Sequence, residues 1–210
     1  MTIGFGLIGC GRIAARHADL LGDNHIANAR VVAVCDSESG RADAMAQRLG
    51  VVAYHDIDRI LADASVDAVL CVTMLCHQSI ESPTAAIREF ARVVRPGGIV
   101  CLWEPGVRRL RRAHDRVTHT GRRFSRLDLA RCATDAGLDV IRSTGAHSYL
   151  VPPALVKAVL ERGDVASDLD GHAGGLGGVL ATAARAERAV LQRVDLPFGL
   201  SAITLARRPM

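Results

Sequence analysis

Short apolar runs alternate with stretches of helical spacing along most of the chain. Runs of strand length occur at Ile3–Ile8, Val31–Cys35, Val51–Tyr54, Ala68–Val72 and Ile99–Trp103. Between them, helices are predicted over Ile13–Leu21, Arg41–Leu49, Ile57–Ala62 and Thr84–Val94, the last with Ile87, Phe90, Val93 and Val94 as one buried stripe. The order is βαβαβ. Near-continuous apolar strands separated by helices predict a parallel sheet covered on both faces, with right-handed crossovers. In such sheets ligands bind beyond the carboxyl ends of the strands, where the strand order reverses.

Residues 105–127 break this rhythm with an arginine-rich loop. Beyond it the pattern predicts a helix over Leu127–Ala136 closed by Gly137, a strand over Leu138–Arg142, and a helix opened by Pro152 and Pro153 and running to Leu160. A helix over Val179–Val194 and a strand over Leu200–Ala206 follow. The segment GHAGGLGG, residues 171–178, is too rich in glycine to pack well and is expected to be a mobile loop. A chain of 210 residues is long enough for one well-buried domain and short for two, so residues 1–210 are expected to form a single α/β, Rossmann-like three-layer domain.

Composition narrows the function. Aromatic residues make up 3% of the chain, too few for the stacking platforms that bind single-stranded nucleic acid, and the net charge of +4 comes mostly from arginines between Arg108 and Arg131. No nucleic-acid partner is expected. No apolar stretch reaches the roughly 18 residues of a membrane span, and the N-terminus enters a strand without a charged leader, so a cytoplasmic protein with no membrane partner is expected. Cys10, Cys35, Cys71, Cys76, Cys101 and Cys132 form no CxxC pair, and several sit inside apolar runs. They read as reduced core residues, since buried Cys behaves as a small hydrophobe.

The candidate chemistry begins at Gly9-Cys10-Gly11-Arg12-Ile13-Ala14, a G-x-G-x-x-G/A pattern placed between a strand and a helix. Gly9 permits the tight turn, Gly11 lets the backbone approach a pyrophosphate, and Ala14 lets the helix sit close to the sheet. Unpaired amides at the helix start then face the anion. Asp36 ends the second strand in VVAVCD, where a carboxylate accepts hydrogen bonds from a ribose diol.

The first seventy or so residues, in GLIGCGRIAARHA, VVAVCDSESGRADAMAQRLGV and AYHDIDRILADASVDAVLCVT, resemble the N-terminal domain of the glucose-fructose oxidoreductase and inositol dehydrogenase family. The resemblance implies binding of NAD or NADP by Gly9, Gly11, Arg12, Ile13, Asp36 and, more loosely, Thr73. Asp36 favours NAD because a carboxylate repels a 2'-phosphate, while Ser37 and Arg41 keep NADP open. Beyond Thr73 the family's pattern stops. Met74 replaces the proline of its Thr-Pro pair, and no Glu-Lys-Pro segment with its catalytic lysine occurs. The rest of the chain is too short for the family's substrate domain.

From about Leu75 onward the chain resembles the later part of a small class I S-adenosylmethionine-dependent methyltransferase. The carriers are MLCHQSIESPTAAIREFARVVRPGGIVCLWEPG, AHDRVTHTGRRFSRLDLARCATDAGLDVIRSTG, LVPPALVKAVL and LPFGLSAITLARRP. Here the opening loop departs from the pattern, with Leu7 where an acid usually stands and Ile13 where a third glycine does. Ile13 is expected to crowd the methionine portion of that cofactor, while Asp36 holds its ribose and Asp56 approaches its adenine. The two resemblances meet in the fourth strand, which predicts a hybrid domain: a dehydrogenase-like half over residues 1–73, a methyltransferase-like half over 74–210, and a mostly parallel sheet whose last strand is reversed.

Other candidates have structural alternatives. His77, just past the fourth strand, reads as an acid–base residue or as a hydrogen-bonded loop residue. His114 and His119 share a loop with Asp115 but lack a third firm metal ligand. Arg122 and Arg123 read as a clamp for an acidic substrate, or as partners of Asp115 or Asp128. His17 is expected to pack. Three functional readings follow, the first favoured by the loop chemistry: an NAD(P)-binding Rossmann-type protein related to oxidoreductases, with hydride transfer possible; an S-adenosylmethionine-dependent methyltransferase acting on a small molecule; and a nucleotide-binding module without turnover.

Overall fold

The computed structural model describes residues 2–22, 26–63, 66–110, 115–116, 118–160 and 177–210. Its elements are β1 (Ile3–Ile8), α1 (Arg12–Gly22), β2 (Ala29–Cys35), α2 (Ser39–Leu49), β3 (Val52–Tyr54), α3 (Ile57–Leu61), β4 (Ala68–Val72), α4 (Pro83–Val93) and β5 (Ile99–Pro105). Then come α5 (Arg126–Asp135), β6 (Asp139–Ala146), a 3-10 turn at Ser148–Leu150, α6 (Val151–Leu160), α7 (Gly177–Leu191) and β7 (Ser201–Arg207). The strands form one mixed sheet in the order β3-β2-β1-β4-β5-β7-β6, with β7 antiparallel. A doubly wound dinucleotide-binding sheet has six strands in the order 3-2-1-4-5-6. Here a seventh strand stands between the fifth and sixth. Among the described residues no helix is long and apolar enough to cross a membrane. Residues 171–176 of the glycine-rich segment lie outside the described residues, and Gly177 and Gly178 open α7.

The chain divides into two compact units. The first contains Met1–Leu70, Glu89–Val100 and Arg207–Met210. Its strands β1, β2 and β3 are parallel, and β1 also pairs with β4 through Phe5 and Ala68. The β1–β2 register slips by one residue between Phe5 and Gly6, so Phe5 faces Val31 and Gly6 faces Ala33. A one-residue slip exchanges the two faces of a strand. Consequently Ala29, Val31 and Val34 join Ala18, Leu21, Met45 and Ala46 on one side, while Ala33 and Cys35 pack with Ile60 on the other. Gly6 is where α3 comes close: a Cβ there would stand 3.2 Å from side-chain carbons of Ile60 and Val66.

The second unit contains Cys71–Arg88 and Cys101–Ala206. Leu102 and Glu104 of β5, and Ala202, Thr204 and Ala206 of β7, are buried in strict alternation. Helix α5 starts at a capping box, in which the Ser125 hydroxyl accepts the Asp128 amide and the Asp128 carboxylate accepts the Ser125 amide. The sequence pattern ends the sixth strand at Arg142, yet β6 continues to Ala146. Its added polar residues find partners: Ser143 Oγ donates to the Arg126 carbonyl, and Thr144 Oγ1 accepts the Leu196 amide. Pro152 and Pro153 occupy the first turn of α6, where the helix needs no amide donors.

Three glycines set the approach to β7. A Cβ on Gly106 would overlap the Gly199 carbonyl, one on Gly145 the Phe198 backbone, and one on Gly199 the Ala146 backbone. Backbone cannot rotate aside as a side chain does. Gly199→Ala is therefore expected to lower the unfolding free energy by about 2–3 kcal/mol, as overpacking does. The check is the urea midpoint, and an unchanged midpoint would mean that this segment yields freely.

Candidate functional site

In the first unit, β1 delivers the chain to the turn Gly9-Cys10-Gly11. Gly9 has φ +86°, a left-handed conformation that side-chain-bearing residues rarely adopt, and its amide donates to the Cys35 carbonyl at 2.8 Å. This ties the turn to the end of β2. Asp36, the next residue on that strand, completes the tie. Its Oδ2 accepts the Cys10 amide at 2.7 Å and its Oδ1 accepts the Glu38 amide at 2.8 Å. The loop and the acid that the sequence singled out are thus directly bonded to each other.

These bonds set the electrostatics. The Glu38 amide, and after it the Cys10 amide, hold the Asp36 carboxyl below its ordinary range, so it is ionised at neutral pH. Burial, with the Asp36 charge beside it, pushes the Cys10 and Cys35 thiols up and keeps them protonated. A carboxylate has about four acceptor sites. Two of those on Asp36 serve the loop, and the others suit a ribose diol. Among the described residues, no heavy atom outside the immediate chain lies within 4 Å of where a Cβ on Gly9 or Gly11 would stand, which leaves room there for a ligand. Arg12 and Ile13 open the backbone of α1, and their side chains lie outside the described residues. Asp56 caps α3 by accepting the Asp58 amide at 2.9 Å.

Thr73 belongs to the second unit. It follows β4 with φ +50°, a strained conformation for a β-branched residue, and donates its amide to the Trp103 carbonyl. The turn that follows is organised by a residue the sequence reading passed over. Glu104 is fully buried, and its carboxylate accepts the amides of Met74, Leu75 and Cys76 at 3.1, 2.9 and 3.0 Å, with the Cys71 thiol at 3.6 Å. Burial raises the Glu104 pKa, against the pull of those amides. Burial, with the Glu104 charge beside it, pushes the Cys76 thiol up to about 12 and the Cys71 thiol further. These thiols are therefore poor nucleophiles. A signal existed: Leu102 and Glu104 alternate on the inward face of β5, and an acid in that register is buried.

His77 follows this turn with Nδ1 2.7 Å from Ser79 Oγ, and its ring centroid is 5.7 Å from that of His119. His119 Nδ1 is 3.1 Å from Gln78 Nε2. Among the described residues no group of three or more His, Cys, Asp or Glu could hold a metal; His114 lies outside them. Arg122 donates to the carbonyls of Ile80 and Glu81, and Arg123 pairs with Asp115 at 2.5 and 3.1 Å. Both partners of that pair are buried.

A family model described as a methyltransferase domain matches residues 7–102. The chain has a Rossmann-like fold. It is 44% identical over 54 residues to the thiol S-methyltransferase TMT1B of Mus musculus, covering 26% of this chain and 21% of that protein. It is also 44% identical over 73 residues to inositol 2-dehydrogenase of Rhizobium meliloti (strain 1021), covering 35% of this chain and 21% of that one. The chain thus spans about a fifth of the length of the curated relatives it matches. Two solved structures match essentially end to end. The [4+2]-cyclase SpnF covers 100% of this chain and 75% of its own at TM-score 0.51 and 22% identity. The complex of the Haloferax volcanii Trm112 activator with a methyltransferase covers 99% and 83% at TM-score 0.52 and 14% identity. At those identities the likeness is one of fold, and the fold is class I methyltransferase-like.

Proposed function

We propose that this protein is an S-adenosylmethionine-dependent methyltransferase acting on a small molecule. The observation that carries this reading is the strand order, in which an antiparallel β7 separates β5 from β6 instead of continuing a parallel dinucleotide-binding sheet. The match of a methyltransferase family model to residues 7–102 supports it, and that match includes the opening loop. When bound, S-adenosylmethionine supplies an electrophilic methyl group. Asp36 accepts the ribose hydroxyls with the acceptor sites the loop leaves over. The first amides of α1, which have no partners within the helix, face the carboxylate end of the ligand. Methyl transfer needs chiefly the alignment of donor and acceptor, so the missing dehydrogenase lysine is no obstacle.

A second reading, binding of NAD or NADP by an oxidoreductase-like protein, is favoured by one observation: the 44% identity with inositol 2-dehydrogenase. Calorimetric titration with S-adenosylmethionine, NAD and NADP separates the two. The expected result is binding of S-adenosylmethionine, weakened about tenfold or more in Asp36→Ala through the loss of charge-assisted hydrogen bonds. Binding of a dinucleotide with none of S-adenosylmethionine would establish the second reading, with NADP the weaker because Asp36 repels its 2'-phosphate. Binding of none of the three would remove both.

A further inference from the structure

Within the second unit, β5, β6, the turn after β6 and the start of β7 bring four side chains together that the sequence reading did not connect. The ring centroid of His147 is 5.8 Å from that of Trp103 and 6.4 Å from that of Tyr149. Its Nδ1 is 3.2 Å from Ser201 Oγ. All four side chains are half-buried, so each keeps a surface that the described residues do not cover.

His147 is fixed from both ends. Its backbone is left-handed, φ 56° and ψ 39°, and both carboxylate oxygens of Glu187 on α7 are engaged there, one by the His147 amide at 2.5 Å and the other by the Ser148 amide at 2.7 Å. The Ser148 hydroxyl donates to the Phe198 carbonyl at 2.6 Å, which straps the turn to the segment leading into β7. Held residues in sparsely populated backbone regions concentrate where a side chain must be aimed. Here the aimed group is an imidazole with Nδ1 engaged. Among the described residues His147 Nε2, the Trp103 indole N–H and the Tyr149 hydroxyl have no hydrogen-bond partner. Aromatic faces with unused polar tips are the equipment for binding a flat ring that carries a polar substituent.

We infer that this cluster is a binding subsite for a planar hydroxylated aromatic molecule, a phenol in chemical class, whose ring lies on Trp103 and whose hydroxyl meets His147 Nε2. The inference deepens the methyl-transfer reading by naming its acceptor, and it rests on that reading only for the reaction. In that reaction a C–O bond forms, the donor's C–S bond breaks with its electron pair left on sulfur, and the phenolic proton passes to Nε2. The binding claim stands on the cluster alone.

Trp103 is the only tryptophan in the chain, so its fluorescence reports on this subsite and nothing else. The probes are 4-nitrophenol, which absorbs where tryptophan emits; 4-nitroanisole, which has the same ring without the hydroxyl; and cyclohexanol, which has the hydroxyl without the ring. Saturable quenching by 4-nitrophenol is expected, with affinity about fivefold weaker for 4-nitroanisole, the value of one hydrogen bond. Calorimetry with cyclohexanol is expected to show no binding. His147→Asn keeps a residue that tolerates the left-handed backbone and removes the imidazole, and it should bind 4-nitrophenol no better than the native protein binds the anisole. Equal affinity for phenol and anisole in the native protein, or unsaturable quenching, overturns the inference without recourse to any variant. Titration with S-adenosylmethionine is a separate measurement. Phenol binding without it would sink the methyl-transfer reading and leave the subsite, and the converse would sink the subsite and leave the reading.

Discussion

Glu104→Ala is expected to cost about 4 kcal/mol of stability, because it removes the carboxylate that three successive amides share in the turn after β4. The Glu104 carboxylate takes the hydrogens of Met74, Leu75 and Cys76 in succession, and Leu75 and Cys76 are themselves buried. A buried amide left unpaired costs about 1–3 kcal/mol. Alanine also removes side-chain volume from a fully enclosed position, which adds a cavity cost. A urea midpoint shifted by less than a surface substitution would shift it would show that the turn re-pairs its amides with water.

The same residue sets a pH dependence of definite sign. Burial raises its pKa in the folded protein above the unfolded value of about 4.3. Its contribution is therefore present in full below about pH 4.3 and is lost as pH rises through the folded pKa. Asp36, Asp67, Asp128 and Glu89 act in the opposite sense, since hydrogen-bond donors lower their pKa values and their contributions disappear as pH falls. Comparison with Glu104→Gln cancels those groups. The stability of the native protein relative to this variant should decline from about pH 4.3 upward. A difference that stays flat with pH would show that burial does not govern this carboxyl.

What was legible in the sequence was local. The bond between Asp36 and the Cys10 amide joins residues whose places follow from two short-range rules, a glycine turn at the end of β1 and an acid at the end of β2, applied to neighbouring parallel strands. The order of helices and strands was readable for the same reason, with most ends displaced by a residue or two and the last helix stopping three residues early, at Leu191. β6 ran four residues further because Ser143 and Thr144 found hydrogen-bond partners in α5 and in the segment before β7, which no local pattern announces. His147 and Trp103 lie 44 positions apart and meet only because β7 reverses and places Ser201 beside the end of β6. Glu104 was closer to legible. Its alternation with Leu102 marks it as inward-facing, but the apolar run ends at Trp103 and the acid falls just beyond it.

The pair formed by Arg123 and Asp115 shows the same limit from the other side. Sequence offered Asp115 and Asp128 as partners for the arginines, and the structure divides them. Asp128 is committed to the cap of α5, with Arg108 3.4 Å away, while Asp115 receives Arg123 through two guanidinium nitrogens. Their side chains are 9% and 8% exposed, so water cannot replace either partner, and a third guanidinium nitrogen is taken by the Gly106 carbonyl. Asp115→Ala is expected to destabilise the protein by about 3–5 kcal/mol, because a cation that cannot lose its proton is left buried without its counter-charge. Arg123→Met should cost less, because methionine keeps much of the buried apolar volume of the arginine stem. The double variant Asp115→Leu with Arg123→Met, which replaces the charges with apolar volume, should be more stable than Asp115→Ala alone. Urea unfolding of Asp115→Leu, Arg123→Met and their double variant closes the cycle, and a double variant whose loss equals the sum of those two single losses would show that the charges do not depend on each other.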